Sequence, residues 1–337
     1  MPVKEKKMFK EISSKAWEHP ADLAALATLR QIPMLNDVLQ KLLGFLNDKA
    51  LRLMALSSSV RVTGTQYAEV YKLHKEACMI LDAPYIPELF IAQNPVLNAG
   101  AIGVDKPFIM LNSALIENMT SKEVQLIIGH ELGHCLSGHA LYKTILAILL
   151  QISLSFFNIP VAEIALYAII AALSEWDRKS ELSADRAGLI VVQEPEVAYN
   201  VQMKLAGGTN VEKMDINEFF RQAADYEKGG DVMDSVYKIF NTLWQRHPFP
   251  VIRLIEVKTW VDSGAYHKIL EGDYPRRGNG QEDFFKRIKD AAGQYKDDLN
   301  KSEDPLNNIV NNFIDNINDS AQKVSRFFDN FFNNKGQ

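Results

Sequence analysis

The chain has 337 residues, 47% apolar and 23% charged, the balance of a globular protein with material for one large domain or two modest ones. A formal net charge of −5 leaves no basic field to hold phosphates, which excludes nucleic acid as a partner. Only Cys78 and Cys135 occur, so no disulfide framework is indicated. The basic N-terminus lacks the apolar run of a secretory signal peptide, so a cytoplasmic catalytic part is expected.

In chain order, Asp22 to Ala55 predicts helix with a break near Pro33, its apolar face built from Leu39, Leu42, Leu43 and Leu46. Gln66 to Leu81 predicts a second amphipathic helix, closed by Pro84 and Pro87. Three short strands follow at Glu88 to Ala92, Val96 to Val104 and Pro107 to Leu111. Ser121 resembles an N-cap, opening a helix that runs into His130-Glu131-Leu132-Gly133-His134. Glu175 to Val192 reads as helix, and Glu196 to about Leu270 as mostly helix with a kink at His247-Pro248-Phe249-Pro250. These elements divide the chain into an N-terminal helical segment (1–59), a main domain (60–270), a linker (271–280) and a C-terminal amphipathic tail (281–337).

His130 and His134 lie four residues apart, which stacks them on one helix face about 40° apart in projection. That spacing lets two imidazoles reach one Zn²⁺. Glu131, beside the first histidine, is placed to take a proton from an attacking water. Five positions of this kind also arise by chance, so the third ligand decides the matter. His139 lies nine residues after His130; on a continuous helix its side chain points about 180° away, as a polar surface or loop histidine. Glu181 is better placed. If helices run from His134 to about Phe157 and from Pro160 to Glu181, the limbs rise about 35 and 32 Å. An antiparallel hairpin then returns Glu181 to the level of His134. Asp185, one turn on, can accept the outer N–H of a ligand histidine and fix its tautomer.

These residues resemble the HtpX-like and CAAX prenyl-protease family of gluzincin zinc metallopeptidases over roughly Val60 to Val257. The motifs stand in order: Asn98-Ala99-Gly100-Ala101, His130-Glu-Leu-Gly-His134, Arg178-Lys-Ser-Glu181 with Asp185, and His247-Pro248 with Arg253. The resemblance implies one Zn²⁺ on His130, His134 and Glu181, with Glu131 as general base. It implies that His247 stabilises the oxyanion or contacts substrate, that Arg253 lies at the substrate, and that Asn98 and Ala99 belong to an edge strand pairing with a peptide or protein substrate. The expected fold is α+β and mostly helical, a gluzincin domain with a small sheet and a long apolar helical hairpin between the two ligand motifs. The expected activity is zinc-dependent endopeptidase action in membrane-associated quality control or processing. The alternative is a non-proteolytic, zinc-stabilised scaffold.

The apolar stretches Ile145 to Phe157 and Ile164 to Leu173 are about half of the roughly 20 residues that spanning requires. Two readings stay open for residues 144–174: membrane contact, or burial against protein. In the tail, Val310, Ile314, Ile317, Ala321, Val324, Phe328 and Phe331 form an a/d-type seam, which suits packing on the domain or self-association into a homo-oligomer.

Overall fold

The computed structural model describes residues 5–29, 48–155, 162–228 and 249–278; the side chains of 152–168 are also outside the described set. His247, the C-terminal tail and the tip of the expected hairpin therefore lie outside the described residues. The described helices are α1 (Pro20–Leu29), α2 (Asp48–Ser58), α3 (Ala68–Ile80), α4 (Ser113–Asn118), α5 (Ser121–Leu136), α6 (His139–Ser155), α7 (Ala162–Val192), α8 (Pro195–Gly207), α9 (Ile216–Lys228), α10 (Pro250–Asp262) and α11 (Ala265–Glu271). Four strands, β1 (Val60–Arg61), β2 (Leu89–Ala92), β3 (Ala99–Ile102) and β4 (Phe108–Asn112), form one sheet in the order β1-β2-β4-β3. The protein is mostly helical with a small sheet, in keeping with the α+β expectation.

The sheet is mixed: β2 pairs with β4 in parallel, while β1 and β3 run antiparallel to their neighbours. β3 is an edge. Asn112 N–H donates to the Asn98 carbonyl, and antiparallel pairs alternate, so Ala99 and Ala101 turn their peptide groups away from β4, toward the side that carries no described strand. The Ala99 N–H donates to Asn98 Oδ1 at 2.9 Å.

Thr120, not Ser121, caps α5. Its hydroxyl accepts from Glu123 N–H while Glu123 Oε2 accepts from Thr120 N–H, a reciprocal capping box. The sequence Thr-Ser-Lys-Glu carries that signal one residue earlier than the expected cap. From Glu123 to Cys135 every residue of α5 is buried, because α3, α7 and α8 pack around it and β3 and β4 reach it from the sheet.

Helix α5 does not continue through His139 as expected. It ends at Leu136, and Gly138 adopts φ +73°, a left-handed conformation that suits glycine, before α6 restarts at His139. The first limb of the expected hairpin is thus broken just after the histidine pair. α6 packs on α7 and β3, and Ile145, Leu146, Leu149, Ile169, Ile170 and Leu173 are buried. The near ends of the apolar segment are consequently protein core. Among the described residues, no helix is long and apolar enough to cross a membrane.

The chain ends meet on this body. Phe9, Ile12 and Trp17 join the main core, and α1 packs on α7. Residues 272–278, expected as a linker, are fastened to the N-terminal segment: Ser13 N–H donates to the Pro275 carbonyl, and Arg277 binds both Glu11 and Asp82.

α5 and α7 approach nearly backbone to backbone. A Cβ on Gly133 would lie 2.6 Å from Ala187 Cβ, and one on Gly129 would lie 2.8 Å from Val191. A Cβ on Gly188 would lie 2.8 Å from the Leu126 carbonyl oxygen, which cannot rotate aside. Gly188→Ala gains up to about 1 kcal/mol in helix propensity. The forced separation of two packed helices typically costs about 1–3 kcal/mol and outweighs it. The variant is expected to melt several degrees lower, whereas Gly100→Ala, where a Cβ meets nothing within 4 Å, should melt as the parent does. Equal melting of the two variants by circular dichroism would show that the seam is not tight.

Candidate metal centre

The close seam brings the histidines of α5 against the acidic turns of α7. His130 Nε2 lies 3.4 Å from Glu181 Oε2, and His134 Nε2 lies 3.2 Å from Glu181 Oε1. One donor atom from each of the three residues falls within 4.8 Å of the others, and all three residues are buried. Bonds of about 2.0–2.2 Å to a tetrahedral ion place neighbouring donors roughly 3.3 Å apart, and each histidine lies at about that distance from one oxygen of Glu181. Two imidazoles and one carboxylate are also the donor set of catalytic zinc sites that keep a fourth position open. The donors present therefore fit the ion.

Glu131 is 5% exposed, with Oε1 4.0 Å from His130 Nε2. It stands on the next residue of the same helix, where a carboxylate can reach water activated at the cluster.

Each acidic group beside the cluster has a cation or a donor. Asp185 Oδ1 lies 3.0 Å from His130 Nδ1, as expected for a tautomer-fixing partner. Arg253, from the first turn of α10, donates through Nε to Asp185 Oδ2 at 2.7 Å and through Nη2 to Oδ1, and its Nη1 lies 3.5 Å from Glu181 Oε2. Arg253, expected at the substrate, is thus 6% exposed, with its guanidinium committed to the two carboxylates behind the histidines. Lys143 of α6 binds Glu181 Oε1 at 2.7 Å and Asp177 Oδ1 at 2.6 Å.

Burial alone would make both histidines harder to protonate. At His130 the carboxylates of Asp185 and Glu181 reverse that tendency and raise the pKa to about 9. At His134 burial and the nearby Lys143 charge prevail over Glu181 and hold the ring well below its ordinary value. Burial likewise pushes the Asp185 carboxyl up, but Arg253 and His130 more than offset it and hold it below the usual range.

His139 corrects the sequence expectation. Far from being a surface or loop residue, it is 3% exposed, with Nδ1 3.1 Å from His134 Nδ1 and Nε2 3.1 Å from Asp22 Oδ2. The nine-residue rotation presumed an unbroken helix, and the turn at Gly138 redirects the ring. Lys143, His139, Asp177 and Asp22 were all missed as site residues. Asp177 stands one turn before Glu181, a spacing that could have signalled it. Nothing in the sequence places Asp22, some 110 residues upstream of the histidine pair, beside the centre.

Removing one side of the Asp185–Arg253 pair leaves a buried charge uncompensated. Arg253→Leu is therefore expected to lower the unfolding free energy of the metal-free protein by about 3–5 kcal/mol. Urea denaturation checks this, and an unchanged midpoint would mean that the pair carries no stability.

The profile of peptidase family M48 matches residues 65–261 of the chain. The plastoglobule-localized metallopeptidase 48, chloroplastic, of Arabidopsis thaliana is 33% identical over 270 residues, covering 78% of this chain and 77% of that protein. No solved structure matches the chain. On the strength of the family match over more than half its length and of this relative, the chain belongs to peptidase family M48 and is a metallopeptidase.

Proposed function

We propose that the protein is a zinc-dependent endopeptidase in which His130, His134 and Glu181 hold one Zn²⁺ and Glu131 is the general base. The observation that carries this reading is the buried triad of donor atoms within 4.8 Å of one another, with Glu131 on the adjoining residue. When bound, zinc supplies a Lewis acid that polarises the scissile carbonyl and makes water more acidic. Glu131 takes the proton from the attacking water and delivers it to the departing amine. Asp185, held by Arg253, keeps the proton of His130 on Nδ1, so that Nε2 presents its lone pair to the ion.

An extended peptide is the substrate form that the sheet suits. β3 has no described strand on its far side, α5 packs against it, and the outward peptide groups of Ala99 and Ala101 offer the hydrogen-bonding pattern of an added strand. Asn98 Oδ1 holds the Ala99 N–H meanwhile and would exchange it for a substrate carbonyl. By resemblance to the family, His247 is assigned to the oxyanion; it lies outside the described residues.

Glu131→Gln tests the mechanism. The amide keeps the shape but cannot accept the proton. Zinc content by atomic absorption should match the wild type, while cleavage of an unfolded protein such as casein falls by at least about 10²–10⁴-fold. Wild-type activity in this variant would refute the assignment.

A further inference from the structure

His134 and His139 meet through their Nδ1 atoms, a contact that restricts where protons can stand. We propose that His139 and Asp22 form a positioning relay that orients His134, so that helix α1, upstream of the family-matched span, is part of the metal centre. The relay rests on the reading of His134 as a zinc ligand.

His134 turns Nε2 toward Glu181, at 3.2 Å, and that nitrogen must carry a lone pair if it is to bind an ion. The neutral ring then has its proton on Nδ1, where the acceptor is His139 Nδ1 at 3.1 Å. A proton on His139 Nδ1 would set two N–H groups head to head, so His139 carries its proton on Nε2. That N–H points at Asp22 Oδ2, 3.1 Å away. Asp22 Oδ2 also accepts from Ser183 Oγ at 2.6 Å, and Ser183 accepts the His19 N–H at 2.8 Å. Ser183 stands two residues after Glu181 on α7, so the relay returns to the helix that supplies the third ligand. The His139 ring is pinned edge-on by His134 and Trp176, with centroids 5.3 and 5.5 Å away. His134, His139 and Asp22 are 0, 3 and 1% exposed, so bulk water cannot replace a lost partner.

The test measures zinc affinity by competition with a chromophoric chelator, and the visible absorption band of the cobalt-substituted protein, in the full chain. Zinc binding by the wild type tests the underlying metal assignment, so its failure is recognisable apart from that of the relay. His139→Leu removes the acceptor from His134 and is expected to weaken zinc about 10–100-fold and to shift the cobalt band. His139→Asn can place its carboxamide oxygen where Nδ1 stood, and should recover at least threefold of that loss. A residue that merely fills space would show no such rescue. Zinc binding by His139→Leu within threefold of the wild type, or no recovery in His139→Asn, overturns the relay. If His139→Leu does not fold, Asp22→Asn decides: a loss above threefold supports the relay, and a smaller one overturns it.

Discussion

A histidine pair on one helix and a glutamate on another can share an ion only if the two helix axes come unusually close. Helices separated by ordinary side chains sit about 8–10 Å apart, and α5 and α7 face glycine and alanine at each other instead. Gly129, Gly133 and Gly188 each stand where a Cβ would fall within 3 Å of the opposite helix. The small residues lie one turn apart, among the ligands themselves: Gly133 precedes His134, and Ala184 and Gly188 bracket Asp185. Seam and donor set are therefore one device, in which each glycine that lets the backbones meet brings a ligand-bearing turn into range.

That closeness creates an electrostatic problem. Asp177, Glu181, Asp185 and Glu131 are all nearly inaccessible, and unpaired carboxylates in such surroundings would cost several kcal/mol each. The fold answers with two cations from other elements, Arg253 from α10 and Lys143 from α6. Both touch Glu181, one on each oxygen, so its carboxylate is held between them. The two rings also differ in charge balance. At His130 the Asp185 and Glu181 carboxylates overcome the effect of burial and raise the pKa, whereas at His134 burial and the Lys143 charge prevail and lower it. Arg253, as the partner of Asp185, keeps its charge at any physiological pH, which makes the arrangement permanent.

The cluster of candidate ligands was legible because it depends on local periodicity. Four-residue spacing puts His130 and His134 together on any helix, and one further helix carrying Glu181 and Asp185 completes the set. The strands were legible within a few residues for the same reason, apart from the two-residue β1. What failed was reasoning that extended a local rule through a break. His139 was dismissed by rotating an α-helix past Ser137 and Gly138, yet Gly138 takes a left-handed backbone that ends α5 and re-aims the next residue. Arg253 was assigned to the substrate by its place in a motif, but its partners come from α7, 68 positions away in sequence for Asp185. Long-range polar partners of this kind leave no periodic trace.

The N-terminal segment shows the same limit at the scale of the domain. The family match begins at residue 65, and residues 1–59 read in the sequence as a separate N-terminal helical segment. In the fold it is buried equipment: Phe9, Ile12 and Trp17 enter the main core, Trp17 Nε1 donates to Ser137 Oγ at 3.0 Å, and Asp22 reaches His139. The first anchors the segment, and the other two fall on the very turn that redirects α6. An unsupported glycine turn between two helices would be free to swing, and His139 with it. Clamping Ser137 and His139 from the same N-terminal stretch removes that freedom. The outer nitrogen of His134 then faces a fixed partner, much as that of His130 faces Asp185. Both histidines of the cluster are thus held from outside the two-helix seam, one from α10 downstream and the other from α1 upstream, so the site's rigidity depends on chain that no five-residue motif includes.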